Sequence, residues 1–193
     1  MNVLVACECS GRVKTAFRNK GHNAWSCDLK PSEIPDDKFH HQCDIREILE
    51  AHDKNKIWDL MIGHPDCTKL ANSGARWLFE KPGRWKELDE AAAFFNYLKN
   101  QDIPKIALEN PQPHKWATAL IGHYDQKIQP WWFGEGETKG TCLWLKNLPP
   151  LMATYIHSGR IPRVHHEPPG INQKANRART YQGIANAMAD QWG

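Results

Sequence analysis

An open α/β sheet, mostly parallel and covered by helices on both faces, is the fold this sequence predicts. Three patterns point to it. Short apolar runs recur at 2–7, 57–63 and 103–108, and a run apolar at nearly every position is what a strand buried on both faces requires. Between the last two lies a segment with Leu88, Ala91, Ala92, Phe95 and Leu98 at helical spacing. Polar residues follow each run, at the carboxyl ends where such sheets place their chemistry.

Taken in order, 2–7 is the first strand and Glu8-Cys9-Ser10-Gly11 the turn into a helix over 12–20, with Val13, Ala16 and Phe17 inward and Gly21 as its stop. A second strand over 23–27 ends at Asp28, and a short third over 41–45 contains Asp44. The fourth strand, 57–63, runs into His64-Pro65-Asp66-Cys67. A helix over 85–100 leads to the fifth, 103–108, which ends on Glu109-Asn110-Pro111. Strands alternating with helices imply right-handed parallel crossovers. Beyond Pro111, two β-like runs over 126–133 and 141–145 flank a glycine-rich connection. Residues 149–176 read as irregular, and 180–192 as a closing helix.

At 193 residues the chain reads as a single domain, 1–193. Hydrophobic residues at 40% and charged ones at 24% fit a globular chain, and no apolar stretch reaches the ~20 residues of a membrane helix. The amino terminus enters a strand with no charged leader, so a cytoplasmic protein with its six cysteines reduced is expected. The net charge of +3 does not announce nucleic acid, but its distribution does more. Within the basic stretch 146–176 and just after it stand Arg160, Arg163, Lys174, Arg177 and Arg179, a set suited to phosphate contacts or to a solvated surface.

Cys67 and Glu109 follow the fourth and fifth strands, which predicts a thiol and a carboxylate at adjacent carboxyl ends. That pair suits covalent attack on an electron-poor ring, with the acid protonating it. A buried structural cysteine and a strand-end carboxylate are the plainer readings. Lys69, in the polar run after Cys67, is placed to lower the thiol pKa, and that run reads as a mobile loop. The turn Glu8–Gly11 lies where nucleotide-like cofactors dock, although it lacks the G-x-G-x-x-G pattern. Asp28 is placed for a ribose diol and Asp44 for an adenine amino group. Cys7, Cys9, His40, His41 and Cys43 lack the second cysteine pair of a structural zinc site, so no metal is expected. Trp131, Trp132 and Phe133 offer faces on which a base could stack.

In this order the motifs resemble those of the cytosine-5 DNA methyltransferases. The chain is similar in particular to short phage and prophage cytosine-specific methylase-like proteins. The stretches carrying that similarity are His64-Pro-Asp-Cys-Thr-Lys-Leu-Ala-Asn-Ser-Gly74, Glu137-Thr-Lys-Gly-Thr-Cys-Leu-Trp-Leu145 and Arg179-Thr-Tyr-Gln-Gly-Ile-Ala-Asn-Ala-Met-Ala-Asp-Gln-Trp192. The resemblance implies a class I, Rossmann-like methyltransferase fold and S-adenosylmethionine as cofactor. It implies cofactor contacts from Ala6, Glu8, Ser10 and Gly11, from Asp28 and Leu29, from Asp44 and Ile45, and from Pro65 and Gly183. Cys67 would attack C6 of cytosine while Glu109 holds N3, with Lys139 steering the base or its phosphate.

The chain departs from the large family members in several places. Asp66 replaces the proline usual before the cysteine, and a carboxylate there opposes thiolate formation. Glu109-Asn110-Pro111 stands for Glu-Asn-Val. Lys139 stands where arginines are usual, and a lysine cannot reproduce their bidentate contacts. Gly183-Ile184-Ala185 replaces Gly-Asn-Ser/Ala. Residues 146–176 are too few for an ordinary target-recognition domain. The resemblance therefore implies a DNA substrate, a free cytosine nucleotide or single strand, or a protein partner supplying recognition. A non-catalytic cofactor- or nucleotide-binding module serving counter-defence is a further alternative.

Overall fold

The computed structural model describes residues 1–162 and 179–193. Its first strand, Asn2–Ala6 (β1), carries Val3, Leu4, Val5 and Ala6 wholly out of solvent, because it lies in the middle of a sheet covered on both sides. Around it assemble Asn23–Asp28 (β2), His40–Gln42 (β3), Leu60–Gly63 (β4), Lys105–Pro111 (β5), Gln126–Ile128 (β6) and Thr141–Lys146 (β7). The order across the sheet is β3-β2-β1-β4-β5-β7-β6. The first five pair in parallel, while β7 runs antiparallel to both β5 and β6. Strand order reverses between β1 and β4, which opens a crevice at their carboxyl ends.

The helices are Arg12–Asn19 (α1), Ile45–Asn55 (α2), Trp77–Glu80 (α3), Arg84–Lys99 (α4), Lys115–Ile121 (α5) and Gln182–Trp192 (α6). Period-2 alternation divides the strand residues between two cores. Leu4, Met61 and Leu108 pack under Leu49 of α2, Phe95 of α4 and Ile121 of α5. Val5, Ile62 and Ala107 pack under Phe17 of α1 and Met188 and Trp192 of α6. The expected sheet with helices on both faces is the one observed.

Several boundaries differ from expectation, each for a local reason. The third strand stops at Gln42, and Asp44 instead caps α2 in a reciprocal capping box with Glu47. Trp58 precedes β4, its backbone N–H donating to His52 Nδ1 at 3.0 Å. The run 126–133 is strand only to Ile128, and Pro130 opens a short 3-10 turn through Trp132. Strand β5 continues through Glu109 to Pro111, because β7 pairs Glu109 with Leu143 and Pro111 with Thr141. Residues 147–162 hold no helix or strand, but Tyr155 and Ile161 bridge to Phe133 and Glu137.

Candidate functional site

Two parallel neighbours build the centre. Strand β4 approaches β5 so closely that a Cβ at Gly63 would lie 2.6 Å from Leu108 Cδ2. The next residue, His64, donates its backbone N–H to Ala6 O at 2.9 Å, holding the exit from β4 beside β1. Leu70 and Ala71 then close a turn onto the carbonyl of Cys67, at 3.1 and 2.9 Å. Asp66 accepts from the Thr68 backbone N–H at 3.0 Å and from its hydroxyl at 2.5 Å.

The polar run expected to form a mobile loop is anchored at several points. Arg84 donates to Thr68 O at 2.9 Å, and the His114 imidazole hydrogen-bonds Lys69 O at 3.0 Å. Lys69 was placed by sequence as the cation acting on Cys67, but its ammonium pairs with Glu87. Burial pushes the Cys67 thiol up, the charges of Glu109 and Asp66 push it further, and Lys139 is the cation that opposes them.

Glu109 is almost fully enclosed. Burial alone would raise its carboxyl, but the hydrogen bond from His64, the charge of Lys139 and the neighbouring Thr141 outweigh that and hold it below the usual carboxylate range. His64 Nδ1 lies 3.2 Å from Glu109 Oε2. Lys139 Nζ also stands 5.8 Å from the Tyr181 ring centroid. Cys67, Glu109 and Lys139 are therefore brought into one electrostatic cluster, holding a protonated thiol, a carboxylate and a cation.

Beside that cluster a cleft of about 700 Å³ opens along the ends of β1, β2 and β4. Of the residues singled out as cofactor contacts, Glu8, Ser10, Asp28, Leu29, Asp44 and Ile45 line it. Ala6 lies buried within β1 and Gly11 under Ile34, and Pro65 is buried between His64 and Asp66, which line the cleft while Pro65 does not. Gly183 lies in the first turn of α6 and lets the helix touch Phe133, where a Cβ would sit 1.9 Å from the carbonyl oxygen.

The turn after β1 is held by its own chemistry. Cys7 adopts a left-handed conformation at φ 60°, rare for a side-chain-bearing residue. Glu8 then turns inward and accepts from the backbone N–H groups of Val13 at 2.8 Å and Lys14 at 3.2 Å. A buried carboxylate thus satisfies the start of α1. Asp28 accepts from the Lys30 N–H at 2.9 Å, and Asp44 from both the N–H and the guanidinium of Arg46.

Among the basic residues, Arg160 stacks its guanidinium 3.7 Å from the Trp131 ring centroid, and Arg179 binds Glu33 at the cleft rim. Arg163, Lys174 and Arg177 lie outside the described residues. Sequence reasoning missed His64, Arg46 and Glu33, all of which line the cleft. Only His64 carried a signal, its position at a strand end three residues before Cys67.

No protein-family model and no curated protein matches the chain. Solved structures do. A protein assigned as a DNA modification methyltransferase encoded within an E. coli prophage superposes with a TM-score of 0.54 at 17% identity, over 89% of this chain and 56% of the other. This chain has the class I methyltransferase fold. The S. pombe Dnmt2 methyltransferase matches at TM-score 0.49 and 14% identity, over 86% of this chain and 54% of its own. An Entamoeba histolytica methyltransferase, EhMeth, matches at 0.46 and 13%, over 90% and 62%. The chain thus spans little more than half the length of these methyltransferase-fold neighbours. No helix among the described residues is long and apolar enough to cross a membrane.

Proposed function

We propose that the chain is an S-adenosylmethionine-dependent cytosine C5 methyltransferase acting on DNA, with Cys67 as the nucleophile and Glu109 as its acid partner. The observation that carries this reading is geometric. Strands β4 and β5 pair in parallel with Gly63 beside Leu108, and His64, three residues before Cys67, meets Glu109 Oε2 at 3.2 Å. Thiol and carboxylate therefore follow adjacent strand ends, and the lowering effect of Lys139 on both groups agrees with it.

The cleft fits the cofactor. Asp28 ends β2 within reach of a ribose diol, while Leu29, Ile45 and Phe94 offer apolar surface to a purine. Acidic residues outnumber basic ones along the lining, which suits a cofactor carrying a sulfonium and an ammonium. When bound, S-adenosylmethionine supplies an electrophilic methyl group.

The residues of the chain handle the sulfur and the protons. The Cys67 thiol is protonated at rest and Glu109 is ionised, so one proton must travel from sulfur through the carboxylate to N3 of the ring. As it does, sulfur bonds to C6 and the C5–C6 π pair moves onto C5, making C5 nucleophilic. After methylation water takes the C5 proton, and the pair of that C–H bond re-forms the C5–C6 double bond. Sulfur leaves C6 with the electrons of its bond, and the N3 proton returns through Glu109 to sulfur. In a duplex the base must first leave the stack.

A second reading, a free cytosine nucleotide or single strand, is favoured by the short connection between β7 and α6. Its described part, 147–162, lies along 131–137 rather than forming a unit of its own. A protein partner supplying recognition would answer the same shortage. The test is covalent trapping with 5-fluorocytosine in duplex DNA, single strands and a mononucleotide, in the presence of S-adenosylmethionine. An adduct lost in Cys67→Ser supports the mechanism, and its substrate preference separates the readings. Cofactor binding with no adduct on any substrate favours a non-catalytic counter-defence module.

A further inference from the structure

The most tightly enclosed titratable pair of the centre includes a residue with no role so far. His64 is about nine-tenths buried at its side chain, and so is Glu109, with Nδ1 and Oε2 3.2 Å apart. Glu109 is ionised, so the shared proton belongs to the imidazole and Nδ1–H donates to the carboxylate. Among the described residues, the buried Nε2 has no hydrogen-bond partner. A proton there would be left unsatisfied, and the Nδ1–H tautomer avoids that.

We propose that His64 is the positioning residue of Glu109: its Nδ1–H engages Oε2 and turns the carboxylate so that Oε1 is presented to the ring nitrogen of the substrate base. The proposal rests on the cytosine reading above and deepens it, since it names what orients the acid. A carboxylate in a strand has two free torsions beyond Cβ, and a misplaced proton donor costs rate steeply. Here one oxygen is tethered from β4 while the residue itself is carried by β5, so two parallel strands fix the donor between them.

Besides Thr141, whose side chain also hydrogen-bonds Glu109, the groups around the carboxylate lend charge rather than direction. Lys139 and Thr141 approach from the segment entering β7, Cys67 and Asp66 come from the turn after β4, and Cys142 on β7 feels the same carboxylate charge. Lys139 lends a charge, which sets the field without fixing an orientation. The turn after β4 offers a thiol and a second anion. The imidazole, a rigid ring from an adjacent strand, provides the direction.

Two substitutions separate positioning from packing. His64→Phe keeps a planar ring and removes the donor. His64→Asn places an amide N–H close to where Nδ1–H lies. The first readout needs no activity: carboxyl carbon shifts of Glu109 followed against pH in the free chain, assigned with Glu109→Gln, together with the nitrogen shifts of His64. The expected result is the Nδ1–H tautomer in the native chain, a Glu109 midpoint that rises in His64→Phe, and its return toward the native value in His64→Asn. The second readout is methyl transfer, where kcat in His64→Phe falls on the order of 10- to 100-fold with KM nearly unchanged, and His64→Asn recovers part of it.

A Glu109 midpoint unmoved by His64→Phe, an Nε2–H tautomer, or identical behaviour of the two variants overturns the proposal. A native chain that shows the tautomer and the shift yet transfers no methyl group supports the pairing and overturns the cytosine reading instead.

Discussion

Arg179 holds Glu33 in a two-pronged ion pair at the rim of the cleft, Nε to Oε2 at 2.8 Å and Nη2 to Oε1 at 3.0 Å. The two are 146 residues apart in the chain, so the pair ties the approach to α6 to the loop after β2. Glu33 also donates its backbone N–H to Cys9 O at 2.8 Å, which links the rim to the turn after β1.

If the pair closes the cleft, Arg179→Ala and Glu33→Ala should each weaken binding of S-adenosylmethionine by roughly fivefold, the worth of about 1 kcal/mol for a half-exposed bidentate pair. The double variant should be no weaker than either single one. Titration calorimetry measures all three. An arginine engaged with DNA would behave differently, lowering nucleic-acid affinity and the salt slope by about 1 while leaving cofactor binding intact.

Most of the sheet was legible because β1, β4 and β5 are apolar at successive positions, and only burial on both faces selects that. Elements with weaker patterns were not. Strand β3 is His40–Gln42, too short and polar to show a period. The start of α2 was written in Asp44-x-x-Glu47, yet the acid at the end of an apolar-looking stretch reads equally as a strand end. Helix α5 is capped by the His114 imidazole, which accepts from Ala117 N–H at 3.0 Å, and histidine is not a usual capping signal. At the centre, Cys67 and Glu109 were visible as polar residues ending apolar runs. The His64 tether and the Arg179–Glu33 pair were not, because each depends on which strands become neighbours and on where the chain returns.

Asp66 is expected to slow Cys67. Burial is the larger cause of the raised thiol, but the Asp66 carboxylate adds to it, and that part can be removed alone. Asp66→Asn keeps an oxygen for the Thr68 N–H and hydroxyl while deleting the charge. Alkylation of Cys67 by iodoacetamide at pH 8 should speed up roughly two- to fivefold. Mass spectrometry of the Cys67 peptide, with Cys67→Ser as blank, gives the rate. An unchanged rate would mean that the charge is screened from sulfur.

Lys14 and Asp37 form an ion pair buried between α1 and the loop after β2, with side chains 2% and 5% exposed. Ser32 donates its hydroxyl to the same carboxylate at 2.6 Å. Burial would raise Asp37, but these hydrogen bonds and the lysine charge win and hold it below the ordinary value. A carboxyl depressed by folding contributes stability above its unfolded pKa of about 3.9 and loses it as pH falls through the folded value. Lys14→Met should therefore cost about 3–5 kcal/mol at neutral pH, on the order of 10 °C in Tm, by leaving a carboxylate buried alone. The penalty should shrink as pH falls, because protonating the unpaired Asp37 removes the buried charge. Lys14→Met/Asp37→Leu should regain most of the loss, and thermal melts between pH 3 and 8 decide it.

Gly183 separates a packing role from a ligand role. Alanine in a helix gains up to about 1 kcal/mol over glycine by propensity, less near the first turn. Against that gain, the new Cβ would lie 1.9 Å from Phe133 O and 3.1 Å from Phe133 Cβ. Backbone on the facing segment cannot yield cheaply, because Gly134 donates its N–H to Tyr155 O at 2.9 Å and Thr154 and Tyr155 donate to Trp132 O. The clash should win: α6 must move off Phe133, and it carries Met188 and Trp192 into the core beneath α1. Gly183→Ala should lower stability by about 2 kcal/mol or more, read as a drop in Tm. Affinity for S-adenosylmethionine, measured well below that Tm, should change little, because Gly183 does not line the cleft. The reverse pattern, full stability with lost affinity, would assign Gly183 to the cofactor and require α6 to approach the cleft more closely than it does here.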